Sequence, residues 1–369
     1  MKTLTLLAAI LILSAAVFGQ TLFDTGLKQF DGKQYEQAAA TFNQVVAASP
    51  QDYAAYYNLG LCYYNLKKYD SAATAFKNSV RIKPDYAKAY VQLGNALDNQ
   101  DRYNEAIAAY VKATEVEPNN SDAYFEIGVA HYRQKNYTAS LAAFQKTIEL
   151  DPKEPTAYYR AALDYIALKR EDDAVTALEK SISLGIQNGY AQYELGRIYY
   201  NRHNSPRAIE LLISANSLRP DIADSHKMLG DEYVDAKQYD KAMVEFREAL
   251  RLAPTNVYAL VGLGNAYYNN NDYAGSIPHY KKATEIDTKY VLAHLYLADA
   301  YLNTKQYAVA LPAYQKVLAL DEKNAEAIYG LGLTYYDLGN IASARQQYTK
   351  LQPINAALAA KLLVWLDKK

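Results

Sequence analysis

Residues 53–86 read YAAYYNLGLCYYNLKKYDSAATAFKNSVRIKPDY, and residues 87–120 read AKAYVQLGNALDNQDRYNEAIAAYVKATEVEPNN. Overlaid, the two stretches share a small residue after Leu (Gly60, Gly94), an Ala twelve residues on (Ala72, Ala106), a ring four further (Phe76, Tyr110) and a late proline (Pro84, Pro118). The first series runs through the chain as Gly26, Gly60, Gly94, Gly128, Ala162, Gly196, Gly230, Gly264, Ala298 and Gly332, every step being 34. The second is Ala38, Ala72, Ala106, Ser140, Ala174, Ala208, Ala242, Ser276, Ala310 and Ala344. The third is Phe42, Phe76, Tyr110, Phe144, Leu178, Leu212, Phe246, Tyr280, Tyr314 and Tyr348. A fixed period of this length is the mark of stacked supersecondary units, each too small to bury its own apolar face.

With the Gly series placed at unit position 8, the repeats begin at residues 19, 53, 87, 121, 155, 189, 223, 257, 291 and 325. Bulky or apolar residues then recur at positions 4, 7, 8 and 11, as in Tyr56, Leu59, Gly60 and Tyr63, which is one face of an α-helix. A second helical face follows at positions 20, 24 and 27, as in Ala72, Phe76 and Ser79. A polar stretch such as Leu66-Lys67-Lys68 separates the two helices. Proline at one phase in six units (Pro50, Pro84, Pro118, Pro152, Pro220, Pro254) marks the second stop. Small residues at positions 8 and 20 let the two axes approach closely, with the ring at 24 filling the space beside them.

On Leu59-Gly60, Tyr63, Ala72, Phe76 and Pro84, and their equivalents throughout residues 20–358, the chain resembles the tetratricopeptide-repeat family. That resemblance implies an all-α fold, a right-handed α-solenoid of ten helix-turn-helix units, with its usual binding groove on the concave side of the first helices. Repeat 5 departs from the pattern at Ala162, Glu171 and Ile186. Pro278 and Pro312 fall early in the second helices of repeats 8 and 9 and predict slight kinks. After Pro353, the residues Ile354, Ala357, Leu358, Leu362 and Trp365 share one helical stripe, which predicts a capping helix ending over residues 359–369.

The chain of 369 residues carries 39 Lys plus Arg against 40 Asp plus Glu, so it lacks the basic excess of a nucleic-acid binder. Its single cysteine, Cys62, excludes an internal disulfide framework and multi-cysteine zinc sites, and at a phase of alanines it reads as a small buried thiol. Thirty-seven tyrosines against 8 Phe and one Trp point to wide half-buried surfaces rather than one dry core. Met1-Lys2, the apolar run Leu4–Phe18 and the small residues before Gln20 make residues 1–19 a secretory signal peptide, with a buried helix or an uncleaved anchor as competing readings. The run is shorter than the roughly 20 residues that span a bilayer. The expectation is therefore an exported chain, periplasmic or secreted, that leaves the membrane once the signal is cut.

Catalytic signatures are missing from the sequence. His131, His203, His226, His279 and His294 lack metal-ligand spacing, and three of them sit at core phases. No nucleophile elbow, P-loop or dinucleotide fingerprint occurs; Gly262-Leu-Gly264 and Gly330-Leu-Gly332 are first-helix backbone in phase with the repeat. Neither an enzyme, nor a cofactor, nor a metal is expected.

What remains is the first-helix side at positions 2, 5, 9, 12 and 13. Position 12 is aromatic in every even repeat, as Tyr64, Tyr132, Tyr200, Tyr268 and Tyr336, and position 5 leans the same way with Tyr57, Phe125, Tyr193 and Tyr329, against Tyr159 in repeat 5. Two readings compete: pockets at two-repeat intervals along an extended ligand, or packing inherited from a duplicated 68-residue unit. Asn65, Asn99, Asn201, Asn269 and Asn303 at position 13 offer amides to a ligand backbone. Arg133, Arg160 and Arg197 suit a carboxylate, whereas Asp224, Asp231, Asp235 and Asp299 make the later repeats acidic. The carboxylate clamp of the family's chaperone-tail binders is not present: Asn58 and Lys88 match two of its phases, but Phe23, Leu27 and Gln92 occupy others. These residues together predict a non-catalytic scaffold that takes a protein or peptide partner. The rivals are a glycan-binding module using the same tyrosines and a regulatory subunit of an exported enzyme.

Overall fold

The computed structural model describes residues 20–368. The signal-peptide reading of residues 1–19 lies outside the described residues. Helices joined by short turns make up the described residues, and no strand occurs among them. The chain divides into two compact units, one ending at Ile186 and the other beginning at Gln187.

The first unit begins with α1 (20–31), α2 (Tyr35–Ala48), α3 (Tyr53–Asn65) and α4 (Tyr69–Ile82). It continues with α5 (Ala87–Asp98), α6 (Tyr103–Val116), α7 (Ser121–Arg133), α8 (Tyr137–Leu150), α9 (Pro155–Ala167) and α10 (Glu171–Ser183). The second holds α11 (Tyr190–Asn201), α12 (Ser205–Leu218), α13 (Ala223–Asp235), α14 (Tyr239–Leu252), α15 (Val257–Asn269) and α16 (Tyr273–Ile286). It closes with α17 (Val291–Asn303), α18 (Tyr307–Leu320), α19 (Ala325–Asp337), α20 (Ile341–Leu351) and α21 (Ala356–Leu366). Up to α20, odd-numbered helices are the first and even-numbered the second of each repeat. Within each unit every helix packs on its partner and on the next helix in order.

The turn inside each repeat is built by backbone geometry. Position 15 takes a positive φ of 55–65° at Lys33, Lys67, Asp101, Lys135, Lys169, His203, Lys237, Asn271 and Lys305, and glycine fills it only at Gly339. There the N–H of Lys67 donates to the Tyr64 carbonyl (2.9 Å) and that of Lys68 to the Tyr63 carbonyl (2.8 Å), closing the helix end as a left-handed cap. First helices start on Asp52, Asn120, Asn256 and Asn324, whose side chains accept from the third residue of the helix.

The small-against-large expectation is met atom by atom. A Cβ built on Gly60 would lie 2.5 Å from the Phe76 ring, and one on Gly128 2.7 Å from Phe144. Phe42, Phe76, Phe144 and Phe246 are wholly buried. In three of the four repeats whose ring is Tyr, its hydroxyl finds a partner at position 9 of the same repeat: Tyr110 donates to Asn95 (2.8 Å), Tyr280 to Asn265 (2.7 Å) and Tyr314 to Asp299 (2.5 Å), while Tyr348, with Leu333 at position 9, accepts from Gln352 (2.9 Å). Cys62 is buried, and burial pushes its thiol up to about 12. His226, also buried, bonds Glu245 (2.6 Å) and the Pro220 carbonyl (3.2 Å), so it is a packing histidine.

Pro278 and Pro312 each stand sixth in α16 and α18, which continue past them. Two expectations change. Positions 4 and 11 belong to the same apolar helical face as 7 and 8, yet Tyr56, Tyr63, Tyr158 and Tyr165 are only half-buried, because they floor the furrow between neighbouring second helices. The final helix α21 does rest on α19 and α20, but it buries Ala359, Leu362 and Leu366. Trp365 stays 42% exposed and Ile354 40%, since the contact ridge runs through 359, 362 and 366 and leaves Trp365 on its flank.

Candidate functional site

The structure shows how the residues singled out on the first helices are held. Tyr64, Tyr132 and Tyr268 are half-buried. Each ring meets edge-on the ring at position 17 of its own repeat, across the turn: Tyr69 at 5.5 Å, Tyr137 at 5.5 Å and Tyr273 at 4.9 Å between centroids. Position 17 of repeat 6 is Ser205, so Tyr200 uses other partners: its hydroxyl donates to Asp231 (2.8 Å) and the Lys227 ammonium lies 5.6 Å from its ring centre. Tyr336 departs from the groove reading, being 9% exposed against the flank of α21 and Trp365.

Two of the asparagines are already spent. Asn99 donates to the Tyr64 hydroxyl (3.0 Å) and to the Asn95 carbonyl (2.8 Å). Asn303 repeats this with Tyr268 (2.8 Å) and the Asp299 carbonyl (2.8 Å). An amide has two hydrogens, so these side chains offer a ligand an acceptor oxygen and no donor. Asn65 commits one hydrogen to the Leu61 carbonyl (2.8 Å), and Asn201 and Asn269 are exposed. At position 5, Tyr57 lies edge-on to Tyr86 (5.1 Å) and Phe125 edge-on to Phe144 (5.4 Å), while Tyr159 and Tyr193 are half-buried.

Two of the three arginines are already paired. Arg133 is paired with Asp98 of the preceding repeat, and Arg197 grips Glu194 through Nε (2.9 Å) and Nη2 (2.6 Å). Arg160 keeps a buried Nε without a partner. Burial raises the carboxyl of Asp98 above its usual range, against the pull of Arg133. Glu126 is raised by burial and then by the Asp98 charge. In the second unit Asp231 is raised by burial although Lys227 (2.6 Å) and Tyr200 hold it, and Asp235 is exposed. Asp299 is pushed up to about 6 by burial, with the Tyr314 hydroxyl opposing. A raised carboxyl is a general candidate for proton chemistry; that of Asp299 accepts from the Tyr314 hydroxyl and is raised further by the Glu326 charge. Among the described residues no group of three or more His, Cys, Asp or Glu is placed to hold a metal ion, and no helix is long and apolar enough to cross a membrane.

Sequence reasoning missed the pairing of positions 9 and 24, whose signal was available: Tyr at 24 coincides with Asn95, Asn265 or Asp299 at 9 in repeats 3, 8 and 9. It also missed that Asp98, at position 12 of an odd repeat, serves Arg133.

Comparison with known families gives a match to the cilia and flagella-associated protein 70 C-terminal domain, a tetratricopeptide-repeat model, over residues 32–261. A TPR-repeat model matches 264–305 and a further tetratricopeptide-repeat model 295–359. Among solved structures, MamA is 25% identical with a TM-score of 0.42, over 43% of this chain and 93% of its own. YrrB, described as a TPR protein with an unusual peptide-binding site, is 23% identical with a TM-score of 0.48, over 51% of this chain and 96% of its own. Yeast Tom70 is 14% identical with a TM-score of 0.40, over 96% of each chain. No curated protein matches the chain.

Proposed function

The chain belongs to the tetratricopeptide-repeat family, and from that premise we propose that it is a non-catalytic scaffold whose first-helix faces hold a protein or peptide partner. The observation that carries this reading is the state of four rings. Tyr64 and Tyr132 in the first unit, and Tyr200 and Tyr268 in the second, are fixed by ring edges, asparagine or aspartate, yet stay half-exposed. A ring that is already ordered loses little side-chain entropy on binding and offers both an apolar plate and a hydroxyl. Affinity would be the sum of several such plates, with acceptor oxygens of Asn99 and Asn303 and the exposed Asn65, Asn201 and Asn269 between them.

The test is capture from the chain's own source with the whole chain as bait, beside the double variants Tyr64→Ala/Tyr132→Ala and Tyr200→Ala/Tyr268→Ala. A partner held by the unaltered chain must be lost from at least one double variant whose helical signal and melting are unchanged. Retention by both, or turnover of a substrate by the purified chain, refutes the reading. Export is likewise a proposal, resting on Met1-Lys2 and the apolar run to Phe18; the mass of the mature N-terminus in the source decides it, a start at Gln20 being expected.

A further inference from the structure

The first unit has a second kind of recess, away from the first-helix face. It lies in the furrow between the second helices of neighbouring repeats and is floored by the first helix between them. One recess, of about 400 Å³, is walled by α2 and α4 and floored by Tyr56 and Tyr63 of α3. The other, of about 450 Å³, is walled by α8 and α10 and floored by Tyr158 and Tyr165 of α9. Both volumes fall in the range of small-molecule sites.

The two are built from the same unit positions. Tyr56 and Tyr158 stand at position 4, Tyr63 and Tyr165 at 11, and Thr74 and Thr176 at 22. Tyr, Tyr and Thr occur together at these positions in repeats 2 and 5 and in no other repeat. Each recess also has an amide from position 25 of the preceding repeat, and it makes the same bond in both: Asn43 donates to the Tyr63 hydroxyl (3.1 Å) and Gln145 to the Tyr165 hydroxyl (3.1 Å). Thr74 and Thr176 each give their hydrogen to a backbone carbonyl four residues back, at 2.9 and 3.0 Å. Their oxygens are left as acceptors. A carboxylate completes each rim, Asp70 in one and Asp173, bridged to Arg170 (2.8 Å), in the other.

The chemistry common to both narrows the ligand. Lys and Arg are absent from the lining of the repeat 2 recess, so phosphate or another anion is not the shared ligand. Two tyrosine rings with hydroxyl, amide and carboxylate groups at their edges suit a ring that is apolar on its faces and hydroxylated around its rim; in the repeat 5 recess the Arg170 guanidinium covers one side of Tyr165 (4.6 Å from its centre) and Lys180 joins the lining, so there Tyr158 is the freer plate. The polar wall, with Asn43, Asp70 and Thr74 in one recess, argues against a purely hydrocarbon ligand, whose burial would leave those groups unpaired. The matching set does not recur in repeats 3 and 4 between them, so the recesses are discrete and not a continuous track for an extended peptide. We propose that they are equivalent subsites for neutral pyranose residues of a saccharide, independent of the partner-binding reading of the first-helix face.

The experiment is calorimetric and saturation-transfer titration of the full chain with four neutral trisaccharides (maltotriose, cellotriose, chitotriose and laminaritriose) and with a proline-rich peptide. One trisaccharide should saturate two equal sites per chain. Tyr56→Ala should remove one site, Tyr158→Ala the other, and the pair both, while Tyr132→Ala on the first-helix face leaves them intact. Thr74→Val and Thr176→Val keep the shape and should each weaken their own site about tenfold, the worth of one hydrogen bond, even if the alanine variants fold poorly. Failure of all four sugars to saturate, indifference to the tyrosine and threonine variants, or capture of the proline-rich peptide by these tyrosines in place of sugar overturns the proposal.

Discussion

Asp164 is the residue whose replacement tests the packing argument most sharply. It stands at unit position 10, where other repeats carry Cys62, Ala96, Ala130, Ala266 and Ala300. Its side chain is wholly buried and neither carboxylate oxygen receives a well-formed hydrogen bond, because the nearby Ser140 hydroxyl donates to the Gly128 carbonyl (2.9 Å) instead. Burial pushes its carboxyl from 3.8 up to about 7, against the opposing pull of Ser140 and Arg160. The folded chain thus binds the proton more tightly than the unfolded chain does. Stability from this group is full below about pH 4, is lost as pH rises toward 7, and is flat above that. A shift of some three units at about 1.4 kcal/mol each is an upper bound near 4 kcal/mol, and screening brings a realistic figure to about 2–3 kcal/mol. Asp164→Ala removes that penalty and leaves a small void costing about 0.5–1 kcal/mol. The variant should therefore be about as stable as the unaltered chain at pH 4.5, where the penalty removed is only about 1 kcal/mol, and more stable, by about 1–2 kcal/mol, at pH 8. Urea unfolding followed by the helical signal at several pH values measures the difference, and carboxyls common to both chains, such as Asp299, cancel. An offset that does not change with pH, or a variant less stable at pH 8, would falsify the account of Asp164 as a buried, unpaired acid.

Other outcomes follow from the same contacts. Gly128→Leu drives side-chain atoms into the Phe144 ring, which a bare Cβ would already approach to 2.7 Å, and should cost about 1–3 kcal/mol in a thermal or urea melt; unchanged melting contradicts the close helix approach. Lys67→Gly relieves a left-handed residue at φ 57° and should gain about 0.5–1 kcal/mol, whereas a loss would mean that the lysine side chain matters more than its backbone. Tyr314→Phe deletes the 2.5 Å bond that opposes the rise of the Asp299 carboxyl. Its midpoint, read by carbon-detected NMR titration, should move above about 6, and stability near neutral pH should drop by about 1–2 kcal/mol. A midpoint that stays put or falls would remove Tyr314 from the account.

How far the alphabet alone reached is clearest at residues that share a position. Gly60, Ala72 and Phe76 announced two helices, their closest approach and the ring beside it, because the 34-residue spacing states the angle of each side chain about its helix axis. The same reasoning put Tyr64, Tyr132, Tyr200 and Tyr268 at one phase of their first helices. Angle is not exposure, however. Tyr268 and Tyr336 stand at the same unit position; Tyr268 is half-buried, whereas Tyr336 is 9% exposed because α21 and its Trp365 lie against it.

Partnership was hidden for a related reason. The acceptor for Arg133 is Asp98 and the donor to Tyr64 is Asn99, each 35 residues away, one repeat and one residue along. A periodic pattern compares like positions with one another, so it does not register a bond between unlike positions of successive repeats. Trp365 shows the same limit: its stripe was visible, but which edge of the stripe met α19 and α20 depended on the docking of one helix across two others. The order, type and period of the helices were thus legible in local side-chain spacing. Which tyrosines remain open, which amides still have hydrogens to give and that Arg133 is already paired were decided only when one repeat was laid against the next.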